Sequence, residues 1–277
     1  MDVIPTVSLK TDYEIPKVGL GTWDLSEEEA KSSVETALDL GYTHIDTAEG
    51  YRNESGVGDA IQNYDRSELF ITSKVLPSNL HYDDVLESCE ASLDRLGTDY
   101  LDLYLIHWPN EAISIRETMH AMKKLEDSGK VKNVGVSNFG VYQLKIARKV
   151  SDVPITVNQI EFHPWFNRRD IVDYCKNNDI VVTAAAPLAR TQVLEDDLIG
   201  KLAEKYDKTQ AQVVIRWEVQ KDIVSIPKST SRDHIRENLD VFDWEMERED
   251  LEKIDRIEKR QRCYEIDLED EIYGIPS

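Results

Sequence analysis

The amino-acid sequence predicts a closed α/β barrel of eight parallel strands, preceded by a β-hairpin. Short apolar runs alternate with amphipathic stretches along the whole chain, as expected when strands alternate with helices. The length of 277 residues is close to the usual size of a (β/α)8 TIM barrel. A doubly wound sheet is the alternative, but the first run ends in Gly19-Leu20-Gly21-Thr22-Trp23 and lacks the third glycine of a G-x-G-x-x-G motif. Since no linker composition divides the chain, we predict one barrel domain over residues 1–277.

The eight strands are predicted from β-rich apolar runs that end in polar or turn residues, a pattern typical of buried parallel strands. These runs are Val18–Gly21, Thr43–Ala48, Leu69–Val75, Tyr100–Trp108, Val131–Asn138, Ile155–Phe162, Ile180–Leu188 and Ile223–Ser229. Before them, Val7–Ile15 alternates around the pair Thr11-Asp12. This segment is predicted to be the N-terminal hairpin that closes the bottom of the barrel.

The helices are predicted from amphipathic stretches with recognisable ends. Ser26–Leu40 opens with Ser26 and Glu29 at the spacing of a capping box and stops before Gly41. The other predicted helices are Asp83–Leu96, Ile113–Ser128, Val141–Val150, Arg169–Asn177, Lys201–Tyr206, Gln210–Gln220, Asp233–Leu239 and Glu247–Arg260.

The composition excludes several kinds of partner. The chain has 54 acidic and 33 basic residues and a formal charge of −21, which repels nucleic acids and anionic membranes. Such acidity suits a high-salt habitat, where screening removes the self-repulsion. Three widely spaced cysteines without a C-x-x-C pair, and histidines without metal-ligand spacing, predict neither disulfides nor a metal site. With no signal peptide or long apolar run, we expect a cytoplasmic monomer.

Ionisable residues stand at the ends of several predicted strands, and these ends meet at one rim of a barrel. Lys74 has apolar neighbours, so its ammonium requires a buried partner, and Asp46 on the adjacent strand can provide one. An ammonium near Tyr51 would favour the phenolate and lower the tyrosine pKa from its usual value of about 10. His107, if neutral, could orient a carbonyl oxygen. The pattern therefore predicts a site for proton transfer.

These residues resemble a known family. Residues 46–54, Asp-Thr-Ala-Glu-Gly-Tyr-Arg-Asn-Glu, resemble the D-T-A-x-x-Y-x-N-E signature of the aldo-keto reductases. Lys74 and His107 complete that family's tetrad with Asp46 and Tyr51. Further family motifs are matched by Gly135–Phe139, Asn158-Gln159 and Ile226–Ser229. The compact chain is most similar to microbial members that reduce small aldehydes, ketones or diketo sugars.

The resemblance implies NADPH-dependent reduction of a small carbonyl compound, with Tyr51 as proton donor, Lys74 and Asp46 as tuners of its pKa, and His107 orienting the carbonyl. Trp23 and Trp108 would wall the substrate pocket together with Tyr51 and His107. The cofactor-binding residues implied by the resemblance are Gly21, Thr22, Asp46, Ser137, Asn138, Gln159, Pro187, Leu188, Ile226, Lys228, Ser229, Thr230, His234, Glu237 and Asn238.

Two positions depart from the family pattern. Ala185 stands where the family has an aromatic ring against the nicotinamide, so Ala185→Tyr is predicted to tighten cofactor binding. His234 stands where NADP-dependent members have arginine, so we expect NADPH to be preferred but NADH to be tolerated. The acidic segment Glu265–Glu271 falls at the family's substrate-selecting loop, and its shortness predicts an open pocket.

Two other functions are compatible with parts of this pattern. A catalytically idle nicotinamide-binding regulator or sensor on the same barrel is the alternative, but such a protein has little need of the complete tetrad. A Schiff-base enzyme that uses Lys74 is disfavoured, because the paired Asp46 would raise the lysine pKa instead of lowering it.

Overall fold

A computed structural model describes residues 4–264, and the acidic segment Glu265–Glu271 lies outside them. Within the described residues the chain forms the predicted eight-stranded parallel barrel, whose strands pair in chain order. The strands are β3 (Leu20–Gly21), β4 (His44–Asp46), β5 (Phe70–Val75), β6 (Leu103–Ile106), β7 (Val134–Ser137), β8 (Ile155–Glu161), β9 (Val181–Ala185) and β10 (Val224–Ser225). A parallel bridge between Val18 and Ser225 joins the first strand to the last, and Gly19 N–H donates to Ser225 O at 2.9 Å. The sheet is therefore closed, and the doubly wound alternative is excluded.

The predicted hairpin precedes the barrel. Its strands β1 (Thr6–Ser8) and β2 (Glu14–Pro16) pair antiparallel. Leu9 and Ile15 are buried and belong to the apolar cluster inside the barrel, together with Phe70 at the start of β5. The hairpin thus closes the end of the barrel at which the strands begin and does not cover the end at which they finish.

Ten helices surround the strands within residues 4–264. They are α1 (Glu27–Asp39), α2 (Glu54–Ile61), α3 (Tyr82–Leu96), α4 (Ile115–Asp127), α5 (Val141–Val150), α6 (Arg169–Lys176), α7 (Asp197–Tyr206), α8 (Gln210–Val219), α9 (Arg232–Leu239) and α10 (Arg248–Asp255). The predicted capping box begins α1, where Glu29 N–H donates to Ser26 Oγ at 3.3 Å. In the part of the chain that is described, no helix is both long enough and apolar enough to cross a membrane.

Helix α2 is absent from the sequence prediction, and α10 is shorter than predicted. Gly56 and Gly58 lie in α2, and glycine weakens any helical pattern. Packing explains the first of these glycines, since a Cβ at Gly56 would lie 2.1 Å from Glu27 O in the adjoining α1. The close approach of α1 and α2 overrides helix propensity there. At the other end of the chain, α10 stops at Asp255 instead of continuing to Arg260.

Candidate active site

A buried ion pair lies at the carboxyl ends of β4 and β5. Lys74 is completely buried, and its Nζ donates to Asp46 Oδ1 at 2.5 Å and to Thr47 O at 2.8 Å. The other carboxylate oxygen of Asp46 accepts from Gln159 Nε2 at 2.6 Å. These partners compensate two charges removed from water, so the ammonium is held in one position.

Tyr51 lies directly above this pair, in the short turn Glu49–Tyr51 that follows β4. Its Oη is 3.3 Å from Lys74 Nζ. Asn53 fixes the turn, because its Nδ2 donates to Thr22 O at 2.8 Å and to Leu25 O at 2.9 Å. The phenol therefore meets the ammonium in a fixed geometry.

His107 follows β6 and packs its ring edge-on to the ring of Tyr51, with centroids 5.5 Å apart. Asn138 Nδ2 donates to the backbone oxygen of His107 at 3.0 Å and so holds this part of the rim. Burial, assisted by the charge of Lys74, lowers the pKa of His107 well below its usual value. The imidazole is consequently neutral near pH 7 and can donate one N–H to a ligand oxygen.

Polar groups continue along the rim to β7 and β8. Ser137 pairs in register with Gln159, and Asn138 adopts a left-handed backbone with φ of 64°. The amide N–H groups of Asn138 and Gln159 bond to the protein. As far as residues 4–264 show, their side-chain oxygens are left to accept hydrogen bonds from a ligand.

A cavity of about 310 Å3 runs from Tyr51 along the rim to Lys228. Ten residues named from the sequence line it: Gly21, Trp23, Asp46, Tyr51, Gln159, Ala185, Pro187, Leu188, Ile226 and Lys228. Six further residues of the cavity wall were not predicted from the sequence: Asp24, Ala186, Arg190, Thr191, Pro227 and Tyr264. The loop after β9 gave no turn signal because Ala186, Ala189, Arg190 and Thr191 take left-handed conformations without a glycine.

The remaining predicted residues lie beside or below this wall in the described part of the chain. Thr22 is buried and donates to Asp46 O at 3.2 Å, while Trp108 packs edge-on to Tyr264. Ser229 Oγ accepts from Ser231 N–H at 3.1 Å, next to Thr230, and Ser231 caps the start of α9. Further along α9, His234 is exposed and Asn238 is buried. Glu237 borders a separate cavity beside Gly41.

Lys228 at the outer end of the cavity and two arginines of α9 lie near carboxylates. Lys228 Nζ is 3.9 Å from Asp24 Oδ2, and the charges of Arg232 and Arg236 lie 4.0 Å and 2.9 Å from those of Asp39 and Asp233. Arg190 stacks over Trp23 at 4.6 Å from the ring centroid. The donor set fits a nicotinamide dinucleotide, with amide oxygens at one end for a carboxamide and cations at the other for phosphates.

A closed barrel that carries a lysine, an aspartate, a tyrosine and a neutral histidine at its carboxyl rim has the groups that a barrel enzyme needs to transfer a proton. Residues 17–259 match the model of the Aldo/keto reductase family, and the chain belongs to that family. The predicted resemblance is therefore confirmed, and the protein is an NAD(P)H-dependent oxidoreductase.

Individual relatives match over nearly their whole length. The glyoxal reductase of Bacillus subtilis (strain 168) is 44% identical over 260 residues, which are 93% of this chain and 94% of the relative. A solved aldo/keto reductase from Brucella melitensis is 41% identical, with a TM-score of 0.87 and coverage of 91% and 99%. Another solved aldo-keto reductase, complexed with NADPH, is 33% identical, with a TM-score of 0.89 and coverage of 94% and 90%.

Proposed function

We propose that this protein uses NADPH to reduce small aldehydes, ketones or keto sugars to alcohols, with Tyr51 as the proton donor. The observation that carries the proposal is the contact of 3.3 Å between Tyr51 Oη and Lys74 Nζ, beneath which Asp46 holds the ammonium. Similarity to a glyoxal reductase favours a small carbonyl substrate.

When bound, the nicotinamide supplies a hydride to the carbonyl carbon. Ser137, Asn138 and Gln159 would hold its carboxamide, between Gly21, Pro187, Leu188 and Ile226. At the outer end, Lys228, Ser229 and Thr230 would receive the adenosine phosphate, with His234 nearby, and Glu237 and Asn238 would contact the adenine.

The side chains of the tetrad transfer the proton and stabilise the charge that this transfer leaves behind. Tyr51 gives its hydroxyl proton to the carbonyl oxygen as that oxygen becomes an alkoxide, and the phenolate left behind is stabilised by the Lys74 ammonium. Asp46 and Thr47 O keep the ammonium in place. His107 is neutral and donates a hydrogen bond that orients the carbonyl, while Trp23 and Trp108 wall the substrate.

The cofactor preference depends on Lys228 and on the residues of α9. We propose that NADPH is preferred and NADH is tolerated. Lys228, Arg232 and Arg236 provide positive charge, but each shares it with a carboxylate, and His234 offers no planar fork for a 2′-phosphate.

On composition, we further propose that the protein works as a cytoplasmic monomer, without nucleic-acid or membrane partners, and that its charge of −21 suits high salt. Size measurement in solution and activity across salt concentrations test these points. Full activity and stability at low salt would count against a high-salt habitat.

The test of the proposed function is the oxidation of NADPH, followed by absorbance, with glyoxal, simple ketones and keto sugars as substrates. Tyr51→Phe should lower kcat about 10²- to 10⁴-fold while leaving the NADPH dissociation constant unchanged. Tyr142→Phe, at a side chain that is 76% exposed, is the matched control. Turnover that survives Tyr51→Phe would remove Tyr51 from the acid role, and a wild-type protein without turnover on any carbonyl would contradict the function.

A further inference from the structure

The segment after α10 returns across the mouth of the barrel and is anchored there by Glu161. Gln261 N–H donates to Trp165 O at 3.3 Å. The next anchor is the carboxylate at the end of β8, which accepts the backbone N–H groups of Cys263 and Tyr264, the latter at 3.4 Å. Two consecutive backbone groups are thus bound by one side chain, which sets the position of Tyr264.

Glu161 is suited to act as this anchor. It is buried, and His163 Nε2 lies 3.0 Å from its Oε1. Burial raises the pKa of Glu161, but hydrogen bonds from His163, Cys263 and Tyr264 outweigh burial and lower it overall, so the group is an ionised acceptor. Ligand atoms of Glu161, His163 and Cys263 come within 4.8 Å of one another, but Arg262 at 3.9 Å from Glu161 disfavours a metal cation there.

The anchored Tyr264 turns its ring into the cavity. It packs against the apolar cluster inside the barrel, of which Ala185 and Ile226 are the members that line the cavity. It also meets Trp108 edge-on, with ring centroids 6.4 Å apart. Burial, and after it the negative charges of Glu161 and Asp46, raise the pKa of Tyr264 well above its usual value. The phenol is therefore neutral and presents an uncharged aromatic surface.

The two alanines on this wall explain how the ring fits. Ala185 and Ala186 end at Cβ, so the carboxyl end of β9 leaves space that a ring from elsewhere can occupy. Tyr264 borders the same cavity as Tyr51, Gln159 and Ala185. Positions 185 and 264 consequently share one volume, in which a small residue at the first accommodates a ring at the second.

We propose that Tyr264 is the aromatic wall of the reaction pocket, the surface on which the flat nicotinamide ring packs beside Tyr51, and that Glu161 is its positioning residue. This inference rests on the proposed use of a nicotinamide cofactor. Tyr264 would then make the contact with the nicotinamide ring that Ala185 is too small to make.

The first test measures NADPH binding by quenching of tryptophan fluorescence, without turnover. Tyr264→Ala should raise the dissociation constant about 3- to 10-fold, whereas Tyr264→Phe, which keeps the ring, should bind as wild type. Tyr142→Ala, at the exposed tyrosine, controls for loss of a ring elsewhere. An unchanged or lower dissociation constant in Tyr264→Ala overturns the proposal, because the ring would then make no favourable contact with the cofactor or would obstruct it.

The second test exchanges the alanine at position 185 and the tyrosine at position 264. The sequence alone predicts that Ala185→Tyr tightens cofactor binding, but with Tyr264 in the shared volume we expect this single variant to weaken binding and to lower the melting temperature of the cofactor-free protein. Combining it with Tyr264→Ala should restore both properties to near wild type. Effects of the two substitutions that simply add would show that the volumes are independent and would contradict the proposal.

The third test removes the anchor. Glu161→Gln should raise the NADPH dissociation constant as Tyr264→Ala does, and the double variant should bind no more weakly than either single variant, since both act through one ring. Additive effects would remove Glu161 from the positioning role. Binding constants and melting temperatures do not depend on turnover, so a protein that binds NADPH but reduces no carbonyl would refute the proposed function while these tests still judge Tyr264.

Discussion

The two ends of the cavity differ in how their charges are paired: the ion pair at the inner end is buried, and the one at the outer end is exposed. At the inner end, Lys74 and Asp46 are 0% and 2% exposed and lie 2.5 Å apart. At the outer end, Lys228 and Asp24 are 37% and 70% exposed and 3.9 Å apart. Buried charges tolerate only a fully compensated geometry, whereas exposed pairs contribute little and are screened by salt. The geometry of the inner pair is thus fixed by burial, whereas the attraction within the outer pair depends on salt.

The largest effect is expected where the buried pair is broken. Lys74→Met leaves the Asp46 carboxylate buried without its ammonium, so the free energy of unfolding should fall by about 3–5 kcal/mol and carbonyl reduction should be lost. Denaturant unfolding measures the first effect, and NADPH oxidation measures the second.

The double variant Asp46→Asn/Lys74→Met is the control for this prediction. Because it removes both charges, it should recover much of the stability but none of the activity. A loss in the single variant below about 1 kcal/mol would mean that the inner end does not differ from a surface pair.

A second prediction concerns acid, to which the buried histidine that precedes Asp46 by two residues on β4 should be sensitive. His44 on β4 is buried beneath the rim, and burial lowers its pKa from 6.5 to about 4. Between pH 6.5 and pH 4, His44 is protonated in the unfolded chain but neutral in the folded chain. The contribution of His44 to the free energy of unfolding is therefore complete above pH 6.5 and is lost as the pH falls toward 4. The loss between pH 7 and pH 5 should be about 2 kcal/mol.

Denaturant unfolding of His44→Gln at the two pH values checks this prediction. The variant should show a flatter dependence of stability on pH than wild type. His120→Gln, at a side chain that is 49% exposed, should keep the wild-type slope. Equal slopes in all three proteins would show that His44 titrates normally.

The outer end should respond to salt. Lys228→Ala should raise the dissociation constant for NADPH about fivefold at low ionic strength and less than twofold at high ionic strength, because an exposed charge is screened. Lys123→Ala in α4, which pairs with Glu126 and Asp127, is the matched control and should leave binding unchanged. A salt-independent effect of Lys228→Ala would place this ammonium in a buried contact and weaken the contrast between the ends.

The smallest effect is expected at His234. His234→Arg should increase the preference for NADPH over NADH about threefold, since a planar guanidinium binds a phosphate in two places and is always charged. The ratio of kcat/KM for the two cofactors measures it, with His234→Gln as the uncharged control. A ratio that is the same in all three proteins would mean that position 234 does not face the 2′-phosphate.

Much of the fold could be predicted because its signals are local. Each predicted apolar run overlaps one barrel strand, and a strand buried on both faces shows this pattern without knowledge of its neighbours. Helix α2 was missed because Gly56 and Gly58 allow it to approach α1 and α3 closely, which no local pattern reveals. The chemical groups of the rim were predictable for the same reason as the strands, since Asp46, Lys74 and His107 directly end or follow apolar runs.

The sequence by itself determined the barrel, its family and the four groups of the tetrad, because strand periodicity and strand-end polarity are written within a few residues of each other. Only the tertiary structure decided which carboxylates share the cations of the outer end, how the loop after β9 turns, and that Tyr264 reaches the space beside Ala185. Those contacts join residues far apart in the chain, and their energies depend on distance and burial, which no short stretch of sequence specifies.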